Sequence, residues 1–193
     1  RGRAKDFNGA PWAGGLPFTL KFDYTYDGIL GSYEDSLLRF GLNQIDVIVI
    51  HDLDLGYHRT EKRMNEYFKE LESGWKALDE LKRSGEIKAF GAGINYEYMM
   101  PRFLEECPLD FFLVAMPYTL LDQDVLDETF PKCESLGVGV VVGAPYASGI
   151  LASGASEGAK YKYADATPAV LQKVRAIEGL CNDHQIPLKA AAL

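Results

Sequence analysis

The stretch Ile45-Asp46-Val47-Ile48-Val49-Ile50-His51-Asp52-Leu53-Asp54 decides the fold. Four successive β-branched residues, 47 to 50, end abruptly at a histidine that is followed by two carboxylates. A strand that is apolar at successive positions is typical of parallel sheets covered on both faces, and functional groups collect beyond the carboxyl ends of such strands. We therefore expect His51 to lie at the functional end of a parallel sheet.

Outward from this strand, strand-like and helix-like stretches alternate. The other predicted strands are Ile87 to Ile94, Phe111 to Met116 and Val138 to Val142. Five helices are predicted. The first runs from Asp27 to a stop at Gly41, the second contains Tyr67 and Trp75 and stops at Gly85, and the third contains Pro101 near its first turn. The fourth runs from Asp122 to Leu136 with a bend or split at Pro131, and the fifth begins at the N-cap pair Thr167 and Pro168. Trp75 is expected to pack its helix on the sheet. Short connections imply parallel strands with right-handed crossovers and helices outside.

Two architectures fit this alternation, an open doubly wound sheet and part of a (β/α)₈ TIM barrel. The barrel is favoured because polar or glycine-rich residues follow every strand, and because no glycine-rich dinucleotide fingerprint opens a helix. Four units are too few to close a ring that typically takes about 250 residues. The chain also starts at Arg1 and ends at Leu193 without a helix stop. We expect residues 1–193 to form one partial barrel domain of the α/β class, lacking the first strands and the last strand.

Two stretches show neither helical nor strand periodicity. Arg1 to Leu20 is rich in Gly, Pro and Asn, and is predicted to be a long surface loop held down by Trp12, Leu16 and Phe18. Ser153 to Ala166 is predicted to be flexible.

The composition is that of a soluble globular enzyme, with 47% hydrophobic and 25% charged residues. A net charge of −8 disfavours binding to nucleic acid or to anionic lipid, so small molecules are the expected partners. Three distant cysteines favour neither disulfides nor zinc, and indicate free thiols in a reducing cytoplasm. The uncharged window from Ser135 to Ser156 is broken by Gly and Pro145, which argues against a membrane span, and we recognise no secretory signal within residues 1–193 themselves.

His51 has three interpretations from spacing alone: a catalytic donor, a metal ligand, or a structural histidine oriented by Asp52 and Asp54. A metal site needs more imidazoles or converging carboxylates than the chain offers, so no metal is predicted. His58 and His184 lie in a polar loop and at a helix end, and both are expected to face solvent.

Three other strand-end features could bind a ligand. Asn95 is expected at the same end as His51, where it either pairs with a planar amide or serves as a turn former. Tyr118 either stacks on a ligand or caps the barrel edge. The turn Gly143 to Gly149 could bring backbone N–H groups close to a pyrophosphate, although such a turn alone is a weak signal.

Six blocks of the sequence stand out in combination: Phe22-Asp23-Tyr24-Thr25-Tyr26-Asp27-Gly28, Glu34-Asp35-Ser36-Leu37 before Gly41, Asp46-Val47-Ile48-Val49-Ile50-His51-Asp52, Ala77-Leu78-Asp79-Glu80-Leu81-Lys82, Ile87-Lys88-Ala89-Phe90-Gly91-Ala92-Gly93-Ile94-Asn95, and Tyr118-Thr119-Leu120-Leu121-Asp122. Together they resemble the aldo-keto reductase family over essentially the whole chain. Within it, they are most similar to the branch of D-threo-aldose 1-dehydrogenases (L-fucose and D-arabinose dehydrogenases) and pyridoxal 4-dehydrogenases.

This resemblance implies a barrel that binds NAD or NADP without a Rossmann fold and uses a catalytic Asp, Tyr, Lys and His set. Only His51 matches a member of that set here. The other three would precede Arg1 and the loop for the adenosine 2′-phosphate would follow Leu193, so this chain alone is expected to be inactive. His51 would donate a hydrogen bond to the substrate oxygen.

The resemblance also assigns cofactor contacts. Asn95 matches the carboxamide position. The pyrophosphate positions fall at Pro145, Tyr146, Ser148, Gly149 and Leu151. The sequence departs from the family at Ala115, where a Gln is common, and at Gly143, where a Tyr often stacks on the nicotinamide.

The function expected from the resemblance is oxidation of an aldose of the L-fucose or D-arabinose type, or of a pyridoxal-like cyclic hemiacetal, to a lactone with NAD or NADP. Two alternatives stay open: a barrel subunit that binds the nicotinamide nucleotide without turnover, and a metal-dependent barrel hydrolase using His51, Asp52 and Asp54. The sequence indicates neither the substrate, the preferred nucleotide nor the oligomeric state.

Overall fold

The computed structural model describes residues 2–3 and 18–193. The strands are β1 (Gly2–Arg3), β2 (Phe18–Thr19), β3 (Val47–His51), β4 (Ala89–Ile94), β5 (Phe111–Ala115), β6 (Gly139–Gly143), β7 (Lys160–Tyr161) and β8 (Ala164–Asp165). The helices are α1 (Tyr26–Phe40), α2 (Leu55–His58), α3 (Glu61–Arg83), α4 (Met100–Glu106), α5 (Thr129–Ser135), α6 (Ile150–Ser153), α7 (Pro168–Asp183) and α8 (Leu188–Ala191). Short 3₁₀ turns span Glu97–Met99, Asp124–Leu126 and Ala147–Gly149.

The central sheet has four parallel strands in the order β3-β4-β5-β6, and each neighbouring pair is joined by a helical crossover. The register pairs His51 with Gly93 and Ala115 with Gly143. All four predicted strands are therefore present, parallel and in sequence order, so the carboxyl ends of β3 to β6 share one edge of the sheet.

Several helices begin and end where the sequence indicates. Gly41 ends α1 with a left-handed backbone (φ 66°) and donates its N–H to the Leu37 carbonyl. Thr167 caps α7 by accepting a hydrogen bond from the N–H of Val170, and Pro168 occupies the first turn. These predictions are confirmed.

The helices cover one face of the sheet. Trp75 of α3 is 7% exposed, and its ring stacks on Phe90 of β4 with centroids 5.8 Å apart. Phe112 and Val114 of β5 are fully buried on the same face. The predicted packing of Trp75 on the sheet is thus confirmed, and this layer forms the main core.

The opposite face of the sheet is open among the described residues. Val47, Leu113 and Val141 are 45%, 36% and 51% exposed. The prediction that β3 is covered on both faces, and that Val138 to Val142 is a buried strand, is therefore wrong for this structure. In β5 exposure alternates, with Leu113 exposed between the buried Phe112 and Val114, because successive side chains point to opposite faces and the helices cover one of them.

Gly91 of β4 lies where this sheet has no room for a side chain. A Cβ built at this position would overlap the carbonyl oxygen of Phe111 and contact the Phe111 ring at 2.8 Å. At Gly139 of β6, by contrast, a Cβ would meet the Phe111 Cβ at an ordinary 3.5 Å. The close approach of β4 to β5 therefore requires glycine at position 91.

Two predictions about irregular regions need correction, and a third region contains a hairpin that the sequence did not indicate. The N-terminal stretch contains a short antiparallel pair, β1 with β2, and Trp12 and Leu16 lie outside the described residues. The predicted helix from Asp122 to Leu136 is instead a 3₁₀ turn and α5, and the break precedes Pro131, which fits in the first turn of α5. The stretch predicted to be flexible contains the hairpin of β7 and β8.

Two further findings concern membrane spans and cysteines in the described part of the chain. In residues 18–193 no helix is long and apolar enough to span a membrane. Cys107, Cys133 and Cys181 are all free thiols, and burial raises the pKa of Cys107 to about 12.

Candidate active site

His51, Asp52 and Asn95 meet at the carboxyl edge of the sheet, as the alternation of strands and helices predicts. His51 is the last residue of β3, and Asn95 directly follows β4. The Asp52 carboxylate lies between them: its Oδ1 accepts a hydrogen bond from Asn95 Nδ2 at 2.9 Å, and its Oδ2 is 3.6 Å from His51 Nε2. The three side chains thus form one connected polar group.

Asp52 owes its position to the backbone. Its N–H bonds to the Gly93 carbonyl at 3.1 Å, which continues the sheet pairing for one residue beyond β3. Its φ of 49° is left-handed, a costly conformation for a residue with a side chain. This turn takes the chain out of the strand and places the Asp52 carboxylate beside Asn95. The Asp52 side chain is 20% exposed there.

The His51 ring lies on the open face of the sheet. Its side chain is 78% exposed. Gly93, the register partner on β4, does not crowd this ring, since even a Cβ built there would meet His51 Cδ2 at an ordinary 3.5 Å. The ring is therefore accessible to a ligand at the edge shared by the strand ends.

Asp54 does not join this group. It is 2% exposed and caps α2, with Oδ1 accepting a hydrogen bond from the N–H of Tyr57 at 2.8 Å. Burial raises its pKa above the ordinary value. Among the described residues no three His, Cys, Asp or Glu side chains are arranged to hold a metal. The geometry gives the hydrolase alternative, which requires Asp54 beside His51, no support.

A pocket of about 270 Å³ adjoins Asn95 at the same edge, and we call it the rim pocket. Its walls combine two tyrosines, three carboxylates and one ammonium group. The lining residues are Asn95, Tyr96, Glu97, Tyr98, Pro117, Asp122, Asp124 and Lys162.

The turn after β6 carries the predicted pyrophosphate contacts. Gly149 has φ 100°, and open space surrounds the position that its Cβ would occupy. Pro145 and Tyr146 are half-buried. Leu151 is different, because its side chain is fully buried in a second core cluster with Ile150 and its N–H bonds to the Tyr146 carbonyl. The side chain of Leu151 is thus turned away from any ligand on this surface.

The β7–β8 hairpin closes over this turn. Ser148 Oγ accepts a hydrogen bond from the N–H of Tyr163 at 3.0 Å. Asp122 accepts hydrogen bonds from the Tyr161 hydroxyl at 2.7 Å and from Lys162 Nζ at 3.0 Å. Burial, together with the bond to Asp122, raises the pKa of Tyr161, so its hydroxyl keeps its proton.

Sequence reasoning missed the role of this hairpin. Tyr161 and Asp122 are 39 residues apart in the chain. The hairpin turn itself, at Lys162 (φ 48°) and Tyr163 (φ 65°), contains neither the Gly nor the Asn that usually marks such a turn. No local signal therefore points to the contact.

The other two histidines have different surroundings. His184 is exposed, as predicted. The prediction for His58 is wrong: it is 6% exposed, and its Nε2 lies 3.2 Å from the Tyr24 hydroxyl. Burial lowers the pKa of His58 below its ordinary value. Tyr118 packs against Phe130 with ring centroids 5.4 Å apart, which places it against α5.

Comparison with known proteins now adds to this geometry. The model of the aldo/keto reductase family matches residues 16–193. The chain belongs to this family. Curated relatives include a pyridoxal 4-dehydrogenase from Microbacterium luteolum, 35% identical over 182 residues, and a D-threo-aldose 1-dehydrogenase from a Pseudomonas species, 31% identical over 179 residues. These matches cover 94% and 90% of this chain, and 53% and 50% of the relatives.

Solved structures give the same fold. The chain superposes on a glycerol dehydrogenase from Gluconobacter oxydans with a TM-score of 0.65 at 21% identity, over 94% of this chain and 55% of that one. The four βα units of this aldo/keto reductase chain are thus an incomplete (β/α)₈ barrel, as expected. The chain spans about half the length of the curated relatives that it matches.

Proposed function

We propose that this aldo/keto reductase chain is the His51-bearing part of an NAD(P)-dependent oxidoreductase that oxidises a cyclic hemiacetal to a lactone. The substrate class is an aldose of the L-fucose or D-arabinose type, or a pyridoxal-like compound. The observation that carries the proposal is the placement of His51, exposed at the carboxyl end of β3 and next to Asp52, in a chain of this family. The names of the two curated relatives support the substrate class.

The reaction removes two hydrogens from the hemiacetal. The hydrogen on carbon leaves as hydride with both electrons of its bond, the hydroxyl proton passes to a base, and the C–O bond becomes the carbonyl of the lactone. Negative charge develops on the oxygen as its proton departs. A donor aimed at that oxygen therefore stabilises the transition state more than the ground state.

His51 would supply this donor. A neutral imidazole carries one N–H, and the exposed ring can direct it to a substrate oxygen above the open face of the sheet. Asp52 would orient the ring by its charge, since Oδ2 lies 3.6 Å from Nε2 and Oδ1 is held by Asn95.

The residues present fit a nicotinamide nucleotide, NAD or NADP, which when bound supplies the hydride acceptor. Asn95 uses one N–H on Asp52, so its second N–H and its carbonyl oxygen can pair with a carboxamide. Pro145, Tyr146, Ser148 and Gly149 would face the pyrophosphate, while Leu151 could contribute only through its backbone.

The test uses the protein at its full natural length with L-fucose, D-arabinose and pyridoxal, each with NAD⁺ and NADP⁺. We expect lactone from at least one pair. His51→Ala should lower kcat by at least tenfold, about 1.4 kcal/mol, and leave cofactor affinity nearly unchanged. His184→Ala, at an exposed helix end, is the matched control and should behave as wild type.

Two outcomes would contradict the proposal. Nucleotide binding without product from any substrate would favour the non-catalytic subunit. Loss of cofactor affinity in His51→Ala equal to the loss of kcat would mean that His51 binds the cofactor instead of the substrate oxygen.

A further inference from the structure

A second pocket, of about 240 Å³, lies beside α2 and the start of α3, and we call it the arginine pocket. It is lined by Phe22, Tyr57, His58, Arg59, Thr60 and Arg63. The arginine pocket therefore shares no lining residue with the rim pocket or with the group of His51, Asp52 and Asn95.

One wall of this pocket is aromatic. The Phe22 ring meets Tyr57 and His58 edge-on, with centroid distances of 5.4 and 4.8 Å. His58 is buried, whereas Phe22 and Tyr57 remain 36% and 45% exposed. The exposed parts of these two rings form an apolar surface that a flat ligand could cover. Aromatic side chains are typical of ligand pockets.

The other wall is cationic. Arg59 and Arg63 both line the pocket, and in residues 18–193 neither forms an ion pair with a carboxylate. The chain has a net charge of −8 and 28 acidic residues, yet no carboxylate of residues 18–193 neutralises the two guanidinium groups that line this pocket. The Arg63 Nε–H donates a hydrogen bond to the Tyr67 hydroxyl at 3.2 Å, so the other four of its five guanidinium N–H donors remain for a ligand.

The chemistry of this wall selects an anion. The planar guanidinium presents a fork of donors that matches carboxylate and phosphate oxygens. Thr60 Oγ1 accepts a hydrogen bond from the backbone N–H of Arg63 at 3.3 Å, so the hydroxyl proton points elsewhere and can be donated to an anion. Arg59 also has a left-handed backbone (φ 72°) at the end of α2, a position where glycine is usual.

We propose that the arginine pocket binds a small planar aromatic anion, with its ring against Phe22 and Tyr57 and its carboxylate or phosphate on Arg59 and Arg63. The aromatic wall and the cationic wall each contribute only part of the recognition. A ligand that carries both a ring and an anionic group should therefore bind more tightly than either part alone.

The test is isothermal titration calorimetry of the full-length protein with phenyl phosphate, inorganic phosphate and phenol at neutral pH. Phenyl phosphate should bind at least tenfold more tightly than the other two probes. Arg59→Gln and Arg63→Gln should each weaken its binding by tenfold or more. Arg175→Gln, which removes an exposed arginine on α7 that lines neither pocket, is the control and should bind as wild type.

A second measurement locates the site. In NMR spectra, saturating phenyl phosphate should shift the imidazole signals of His58 and leave those of His51 unchanged. Tyr57→Leu should remove the preference for phenyl phosphate over inorganic phosphate while thermal unfolding shows an intact fold. The proposal is overturned by absent binding, by equal affinity for phosphate and phenyl phosphate, by equal weakening in Arg175→Gln, or by shifts at His51 instead of His58.

Discussion

Asn95 Nδ2 donates a hydrogen bond of 2.9 Å to Asp52 Oδ1, and so joins the residues that follow two neighbouring strands. Asp52 is a largely buried carboxylate beside His51, and this bond fixes its orientation. We predict that Asn95→Ala lowers the free energy of unfolding by about 1.5 to 3 kcal/mol, the range for a hydrogen bond to a charged group. Urea unfolding measures this loss. Asn182→Ala, on the exposed end of α7, should change stability by less than about 0.5 kcal/mol.

Trp75 should act on the core and not on the site. Its ring is buried between α3 and the sheet and stacks on Phe90. Trp75→Ala is predicted to destabilise the fold by roughly 3 to 5 kcal/mol because it leaves a large cavity. Lys76→Ala, one residue along the same helix and exposed, should stay within about 0.5 kcal/mol. Chemical denaturation compares the two variants, and similar losses in both would contradict the assigned packing.

His58 should make stability depend on pH. Burial lowers the pKa of His58 in the folded state, with the Arg63 charge adding to the shift and Asp54 and Asp52 opposing it. The unfolded chain therefore binds more protons in the window just below pH 6.5, the ordinary histidine value. Stability should accordingly fall as pH drops through that window.

Unfolding free energies measured from pH 7.5 to 5 check this prediction. His58→Gln should reduce the loss on acidification, whereas His184→Gln, an exposed histidine, should retain it. An identical pH profile in wild type and His58→Gln would show that other groups cause the dependence.

Asp122 should control the opening of the β7–β8 hairpin. It accepts hydrogen bonds from Tyr161 and Lys162, and the hairpin in turn holds Ser148 through the N–H of Tyr163. In Asp122→Ala, hydrogen exchange of the Tyr163 amide should accelerate about tenfold for each 1.4 kcal/mol by which the variant lowers the free energy of opening the hairpin. Asp124 lines the same rim pocket and makes no hydrogen bond to the hairpin, so Asp124→Ala is the control. Equal exchange in both variants would contradict this role.

The strand order and strand ends were predictable from sequence because they depend on local patterns. Runs of β-branched residues bounded by glycine or polar residues predict β3 and β6 to within two residues, and Thr167 with Pro168 predicts the start of α7. The meeting of His51 and Asn95 follows from these strands, since the carboxyl ends of parallel neighbours share one edge.

Features that depend on distant residues were not predictable in this way. His58 is buried because Tyr24 and Tyr67, 34 positions before it and nine after it, close around its ring. The exposed face of β3 depends on which layers cover the sheet, a property absent from a ten-residue window. The assignments of His51 and the cofactor contacts stay predictions until the activity assays are done.

Gly91 has a consequence for inherited variation. Every single-nucleotide missense change of a glycine codon introduces a residue with a Cβ, and a Cβ here overlaps the Phe111 carbonyl oxygen. Codon 91 should therefore tolerate only silent changes, whereas codon 139, one strand beyond on the far side of Phe111, should accept alanine. Deep mutational scanning for folded protein would show this as one intolerant and one permissive glycine within the same sheet.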